Sequence, residues 1–233
     1  MKYLGLIPAR GGSKGIPGKN LVDVAGRPLI AYTFEAALRS KRLDRVILST
    51  DDQAIAAAGR QYGIDVPFLR PPELAKDDSV LEDVMAHALS HLKKDGGYTP
   101  DAMVLLQPTS PLRRAGQIDA AIGLFEKEGV ESLVSVSPPM EHPCDMAYFE
   151  RKRMRMLFEK EGFLAGKQRQ EYPEFLFING AIYVFRVETL LARKSRFGDT
   201  VVPFLMPQLD SIDVDSEADL RIAELILKER AEK

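Results

Sequence analysis

Arg10, Lys14 and Lys19 share one loop with Gly11, Gly12, Gly15 and Gly18, with Ser13 and Asn20, directly after an apolar run at residues 3–7. Glycines let the backbone take positive φ and approach a ligand closely, so successive N–H groups can converge on phosphate oxygens while the cations supply full charge. The chemistry implied is capture of a polyanion. A flexible turn with solvated charges is the alternative, and it requires glycine, charge and position after a first strand to coincide. The loop is not a Walker A: Ser13 stands where that motif needs its first glycine, and Asn20 where it needs Ser or Thr. No glycine triplet falls in the Rossmann register either.

The second candidate lies near the other end of the sequence. Asp213 and Asp215 are two apart in a segment read as extended, so both side chains point to one face. Two adjacent carboxylates repel unless a cation sits between them, and hard oxygen ligands suit Mg²⁺ bridged to phosphate. Capping of the following helix by Asp215 or Ser216 competes with that reading. Other constellations are weaker. His87 and His91 are i,i+4 on a predicted helix, but Ala88 replaces the Glu of H-E-x-x-H, so an exposed pair is expected. Cys144 is the single cysteine, which excludes an intrachain disulfide, and His142 beside it does not make a dyad. In Ser49-Thr50-Asp51-Asp52 a Thr or Asp is expected to cap the helix that follows rather than meet a ligand.

These residues need a frame. Apolar runs predict strands at 3–8, 45–50, 65–69, 102–107, 132–137 and 177–185, and helical spacing predicts helices at 28–40, 53–62, 79–94, 115–128 and 217–230. Alternation of this kind predicts an α/β fold with a mostly parallel sheet and helices on both faces. Ligands bind such sheets beyond the carboxyl ends of the strands, so the polar loop at 107–113 should face the same crevice as the glycine loop. Arg70 sits at a strand end, held extended by Pro71. Residues of about 138–176 break the pattern and are read as an excursion with hairpin character that grips a second subunit. One domain spanning 1–233 is expected. With 32 Lys+Arg against 34 Asp+Glu, the formal charge is −2, which gives no general field for nucleic acid. No run of 18 apolar residues and no charged leader is present, so neither a membrane span nor a signal peptide is expected, and the chain reads as cytoplasmic.

With these motifs assembled, the chain resembles the acylneuraminate cytidylyltransferases, the CMP-sialic acid synthetase family. The resemblance covers nearly all 233 residues. It is carried by the loop from Ile7 to Asn20, by Ser49-Thr50-Asp51-Asp52, by Leu69-Arg70-Pro71 and by Gln107-Pro108-Thr109-Ser110-Pro111-Leu112-Arg113. Asn179-Gly180-Ala181-Ile182-Tyr183 and Ile212-Asp213-Val214-Asp215 complete it. The resemblance implies a Rossmann-like nucleotidyltransferase fold that forms a homodimer through the excursion. It implies that Arg10, Ser13, Lys14 and Lys19 hold the triphosphate of CTP, and that Asn20, Arg70 and Ser79 position ribose and base. Gln107, Asn179, Gly180 and Arg169 would face a nine-carbon 2-keto sugar acid, and Asp213 and Asp215 would bind Mg²⁺. Lys19, Arg10 and Asp215 would carry catalysis. Two departures fall on the sugar side: Phe177-Ile178 where many members have an arginine, and Cys144-Asp145-Met146 where some place a lysine. The acceptor therefore stays open among neuraminate, legionaminate and pseudaminate. An octulosonate cytidylyltransferase, a sugar-1-phosphate pyrophosphorylase and a non-catalytic nucleotide-binding module are the competing readings.

Overall fold

The computed structural model describes residues 1–13, 15–158, 160 and 166–232. The elements run β1 (Tyr3–Pro8), β2 (Asp23–Val24), β3 (Arg27–Pro28), α1 (Leu29–Leu38), β4 (Arg45–Ser49), α2 (Gln53–Gln61), α3 (Leu81–Gly96) and β5 (Ala102–Leu105). They continue through α4 (Ala115–Glu128), β6 (Ser132–Ser137), β7 (Ala147–Glu150), β8 (Arg153–Met156), β9 (Phe177–Arg186), α5 (Val187–Arg193), β10 (Val201–Leu205) and α6 (Glu217–Ala231). The main sheet has the order β10-β6-β9-β5-β1-β4. Its strands are parallel except β9, which runs antiparallel to β5 and β6.

The sheet is apolar on both faces because helices cover both. On one face Tyr3, Ile7, Leu48 and Val104 join Ile30 and Phe34 of α1 and Ile118, Ile122 and Phe125 of α4. On the other, Leu4, Leu6, Ile47, Met103 and Leu105 meet Met85, Ala88, Leu89 and Leu92 of α3. Each fully buried side chain of this size stabilises the fold by roughly 1.5–3 kcal/mol. A third, smaller cluster joins Ile16, Val24, Leu29, Val214 and Ala223, drawing the glycine loop and the acidic segment onto α6.

Two expectations need correction, and two elements lie outside those expected. The strand expected at 65–69 is reduced to isolated bridges, Ile47 to Asp65 and Thr50 to Leu69, because Pro67 removes a ladder donor between them. The edge strand β10 and the short helix α5 carry no clear periodicity; Pro203 sits within β10, where an edge position tolerates the missing N–H. His87 and His91 are not an exposed pair: both rings lie 4.7 Å from the Phe68 ring, and both residues are partly buried. The excursion does contain a hairpin, β7 with β8, and Asp52 does cap α2, accepting from Ala54 N at 2.7 Å and Ile55 N at 2.9 Å.

Burial pulls the His87 imidazole below its ordinary range, with His91 and Arg70 adding to the effect and Glu73 opposing it. The unfolded chain therefore binds this proton more tightly, so the stability is full above the ordinary histidine pKa and is lost as pH falls through the depressed one. Thermal melts between pH 7.5 and 5 are expected to show a decline in Tm on the acid side that His87→Gln makes shallower. An unchanged slope in the variant would remove His87 from the explanation.

Candidate active site

At the carboxyl end of β1 the chain keeps its sheet pairing for one more residue, with Ala9 N donating to Ser49 O at 2.9 Å, and then turns into the glycine loop. Asn20 closes that loop on itself: its Nδ2 donates to Arg10 O at 3.0 Å, and the residue is 7% exposed. Gly11 N donates to Asp51 Oδ1 at 3.1 Å, so Asp51 fixes the near side of the loop while Asp52 caps α2. Gly18, at φ 63°, leads into the single turn Lys19–Leu21 that presents Lys19. Gly15 is required for a different reason. A Cβ there would lie 2.6 Å from the Asp215 carbonyl oxygen, so only glycine lets the loop approach the acidic segment this closely.

Lys19 joins the two ends of the sequence. Its Nζ donates to Val214 O at 2.8 Å and to Asp215 Oδ1 at 2.9 Å. An ammonium has three N–H groups, so this side chain can hold the acidic segment and still reach a ligand. Across the cavity Arg10 Nη1 pairs with Asp77 Oδ1 at 2.7 Å. Arg70 is buried, with Nε donating to Ser49 Oγ at 3.1 Å and Nη2 to Ser49 O. Burial brings its guanidinium pKa down to about 10, with Arg10 adding to that effect and Asp51 opposing it.

These groups line one cavity of about 400 Å³, together with Ser13, Ser79, Gln107 and Asp215. Of the residues singled out from the sequence, Arg10, Ser13, Lys19, Asn20, Arg70, Ser79, Gln107 and Asp215 are thus in its wall. Lys14 lies outside the described residues. Lys76, Asp77 and Thr109 also line the cavity and were not among the expected site residues. The signal for the first two is the charged run that follows the proline pair at 71–72.

The acceptor-side residues are arranged differently. Arg169 is exposed in the excursion and pairs with Asp145 at 3.2 Å. Asn179 is 1% exposed and its amide is held from both ends: Oδ1 accepts from Ser135 Oγ at 2.6 Å and Ala181 N at 3.1 Å, and Nδ2 donates to Ser211 Oγ at 2.8 Å. Its side chain therefore holds the β9 turn to the segment before Asp213 instead of facing the cavity. Gly180, at φ 73°, follows; a Cβ there would lie 2.7 Å from Gln107 Oε1 and 3.6 Å from Asp213 Oδ2.

Asp213 does not line the cavity, and the surroundings of its carboxylate bear on whether a cation fits here. Its Oδ1 is buried and has no hydrogen-bond partner among the described residues. Burial raises its pKa above the ordinary carboxylate value, against a hydrogen bond with Thr109 that lowers it. Among the described residues no group of three His, Cys, Asp or Glu is placed to hold a metal. An acid pair that leaves the remaining positions to water and phosphate fits the habit of Mg²⁺. The acidic segment is itself anchored, with Val214 N donating to Thr109 O at 2.8 Å, and Asp210 buried under Arg114, Gln117 and Arg230. Ser216 caps α6, accepting from Asp219 N at 3.3 Å, so the capping and cation readings of this segment fall on different residues.

The family model described as Cytidylyltransferase matches residues 4–192. The chain is 34% identical over 232 residues to CMP-N,N'-diacetyllegionaminic acid synthase of Legionella pneumophila, covering 98% of this chain and 97% of that protein. It is 31% identical over 230 residues to pseudaminic acid cytidylyltransferase of Campylobacter jejuni, covering 98% and 97%. With N-acylneuraminate cytidylyltransferase of Streptococcus agalactiae it shares 34% identity over 221 residues, spanning 94% of this chain but about half, 52%, of that enzyme. Among solved structures, CMP:2-keto-3-deoxy-manno-octonic acid synthetase complexed with CTP has the same fold, with a TM-score of 0.72 at 18% identity over 99% of this chain and 100% of that one. A charged cavity at the strand ends of a mostly parallel sheet and a family match across most of the sequence thus agree, and the chain belongs to the cytidylyltransferase family of nucleotidyltransferases.

Proposed function

We propose that this chain transfers the cytidylyl group of CTP to the anomeric hydroxyl of a nonulosonic acid, a nine-carbon 2-keto sugar acid, and releases pyrophosphate. The observation that carries this reading is the meeting of Lys19 and Asp215, 196 residues apart, in the wall of one cavity. The names of the relatives, which cover legionaminate, pseudaminate and neuraminate, support the acceptor class. In the reaction the acceptor oxygen bonds to the α-phosphorus, its proton passing to Asp215 or to water, and the bond from that phosphorus to the α,β-bridging oxygen breaks. Little covalent work falls to the protein, and catalysis is positioning plus charge neutralisation. Arg10 and Lys19 hold the triphosphate and stabilise the leaving pyrophosphate, with Ser13 and the loop amides beside them. Arg70, Asn20 and Ser79 shape the nucleoside end, and Gln107 faces the acceptor. Asp213 and Asp215 would hold Mg²⁺, which supplies neutralisation of phosphate charge.

The second half of the proposal is a homodimer built through the excursion. Phe149 of β7 and its cross-strand partner Met154 of β8 are 86% and 66% exposed on one face of the hairpin, an apolar surface that a second copy would cover. No helix among the described residues is long and apolar enough to cross a membrane. A cytoplasmic location, where CTP is at hand, is part of the proposal.

Incubation with CTP, Mg²⁺ and a panel of nonulosonic acids is expected to release pyrophosphate with at least one of them. Release only with a phosphorylated sugar, or CTP binding without turnover, would overturn the reading. Lys19→Ala should lower kcat by about 100-fold or more, since it removes a charge aimed at the leaving group; a rate near wild type would refute the assignment. Gly15→Ala, whose new methyl meets a backbone carbonyl, should lower kcat/KM for CTP by about tenfold or more. Gly116→Ala, at an exposed position in α4 with no described atom within 4 Å of the new methyl, serves as its near-neutral control. Phe149→Glu should shift sedimentation from dimer to monomer, and an unchanged dimer would move the interface elsewhere.

A further inference from the structure

One buried cation takes no part in the nucleotide site. Arg113 is 3% exposed, and no carboxylate accepts from its guanidinium in the hydrogen bonds it makes among the described residues. Its Nη1 donates to Ala181 O at 2.7 Å and to Gln107 O at 3.2 Å, its Nη2 donates to Thr33 Oγ1 at 2.7 Å, and Nε has no described partner. Thr33 Oγ1, itself fully buried, donates in turn to Gln107 O at 3.4 Å. Three elements are fastened to one planar group: α1, the loop after β5, and the start of β9.

Burying an ion without a counter-charge is expensive, and here burial lowers the guanidinium pKa to about 9. A structural tie alone would be met by a neutral amide at smaller desolvation. What the guanidinium adds is a rigid fork that donates in several fixed directions, which neither lysine nor glutamine reproduces. The atoms it fixes are informative. Ala181 follows Gly180, whose backbone passes so close to the Gln107 carboxamide that a Cβ there would lie 2.7 Å from Oε1 and the amide would have to swing aside. The same Gln107 carbonyl also accepts from Ser110 N at 3.4 Å. The backbone of Gln107, from which its side chain projects, can therefore shift relative to the Gly180 stretch of β9 only if the Arg113 fork lets go.

The geometry points to Arg113 as a positioning residue for the acceptor: it holds Gln107 and the Gly180 turn at the spacing that admits the sugar acid, without touching substrate. This rests on the reading of Gln107 as the acceptor-side group. Two variants test it. Arg113→Lys keeps the charge and loses the fork; Thr33→Val keeps the arginine and frees one of its arms. For Arg113→Lys, kcat/KM for the acceptor should fall about 10- to 100-fold, as expected for misplacement of a substrate-positioning group. CTP affinity, measured by calorimetry without acceptor, should stay within about threefold of wild type. Thr33→Val should show the same split at a smaller amplitude and carries the test if the lysine variant does not fold.

Amide hydrogen exchange supplies a readout independent of turnover. In either variant, exchange should rise in residues 107–112 and 178–182 and stay as in wild type in the glycine loop. Acceptor kinetics like wild type in a folded variant, CTP affinity falling in proportion to acceptor kinetics, or exchange unchanged in both segments would each overturn the inference. If wild-type protein uses no nonulosonic acid, the functional reading fails through that measurement, and exchange still decides whether Arg113 sets the two segments.

Discussion

A handful of apolar side chains far from each other in the sequence decides whether this molecule has a site. Ile16 from the glycine loop, Leu29 from the head of α1, Val214 between the two aspartates and Ala223 of α6 form one small cluster, separate from the clusters that build the sheet. Glycine loops and acidic turns have little intrinsic reason to stay together, since one is flexible and both are strongly solvated. Apolar burial supplies the attraction, and it is non-directional, so polar contacts then set the registration: Lys19 to Val214 O and Asp215, and Val214 N to Thr109 O. Charge alone would not do this. An exposed ion pair contributes little, with a median of about 0–1 kcal/mol, whereas Lys19 is mostly buried and works within an already docked loop.

The loop at 107–113 extends the same logic to the other side of the cavity. Its Thr109 carbonyl secures the acidic segment, its Gln107 side chain lines the cavity, and its Arg113 is buried beneath. One short connection thus touches the nucleotide side, the acid pair and the β9 turn. Proline at 108 and 111 limits its conformations before any contact forms. Asn179 completes the arrangement from β9 by holding Ser135 of β6 and Ser211 near Asp213.

Much of this was legible in the sequence, and the reasons for the exceptions are physical. Strongly apolar strands such as β1, β5 and β6, and helices with a clear stripe such as α4, announce themselves because burial on a fixed period leaves a mark. The cationic glycine loop did so too, since nothing apolar competes with its meaning. The edge strand β10 left no such mark: it is half exposed and interrupted by Pro203. Asn179 was set toward the sugar acid by resemblance alone, because its partners, Ser135 and Ser211, are 44 and 32 residues away and invisible to local reading. Asp77 was hidden for the opposite reason. A run of Lys and Asp reads as solvated surface until the fold sets it opposite Arg10.

The separation between Lys19 and Asp215 also bears on how the molecule comes into being. The glycine loop is translated well before its carboxylate counterpart, which follows every strand of the sheet. Closing so long a span carries an entropic toll that local contacts cannot repay early, so the pairing belongs among the late events of folding. A nascent polypeptide on the ribosome can therefore own a well-formed first strand and helix and still have no working centre until α6 docks.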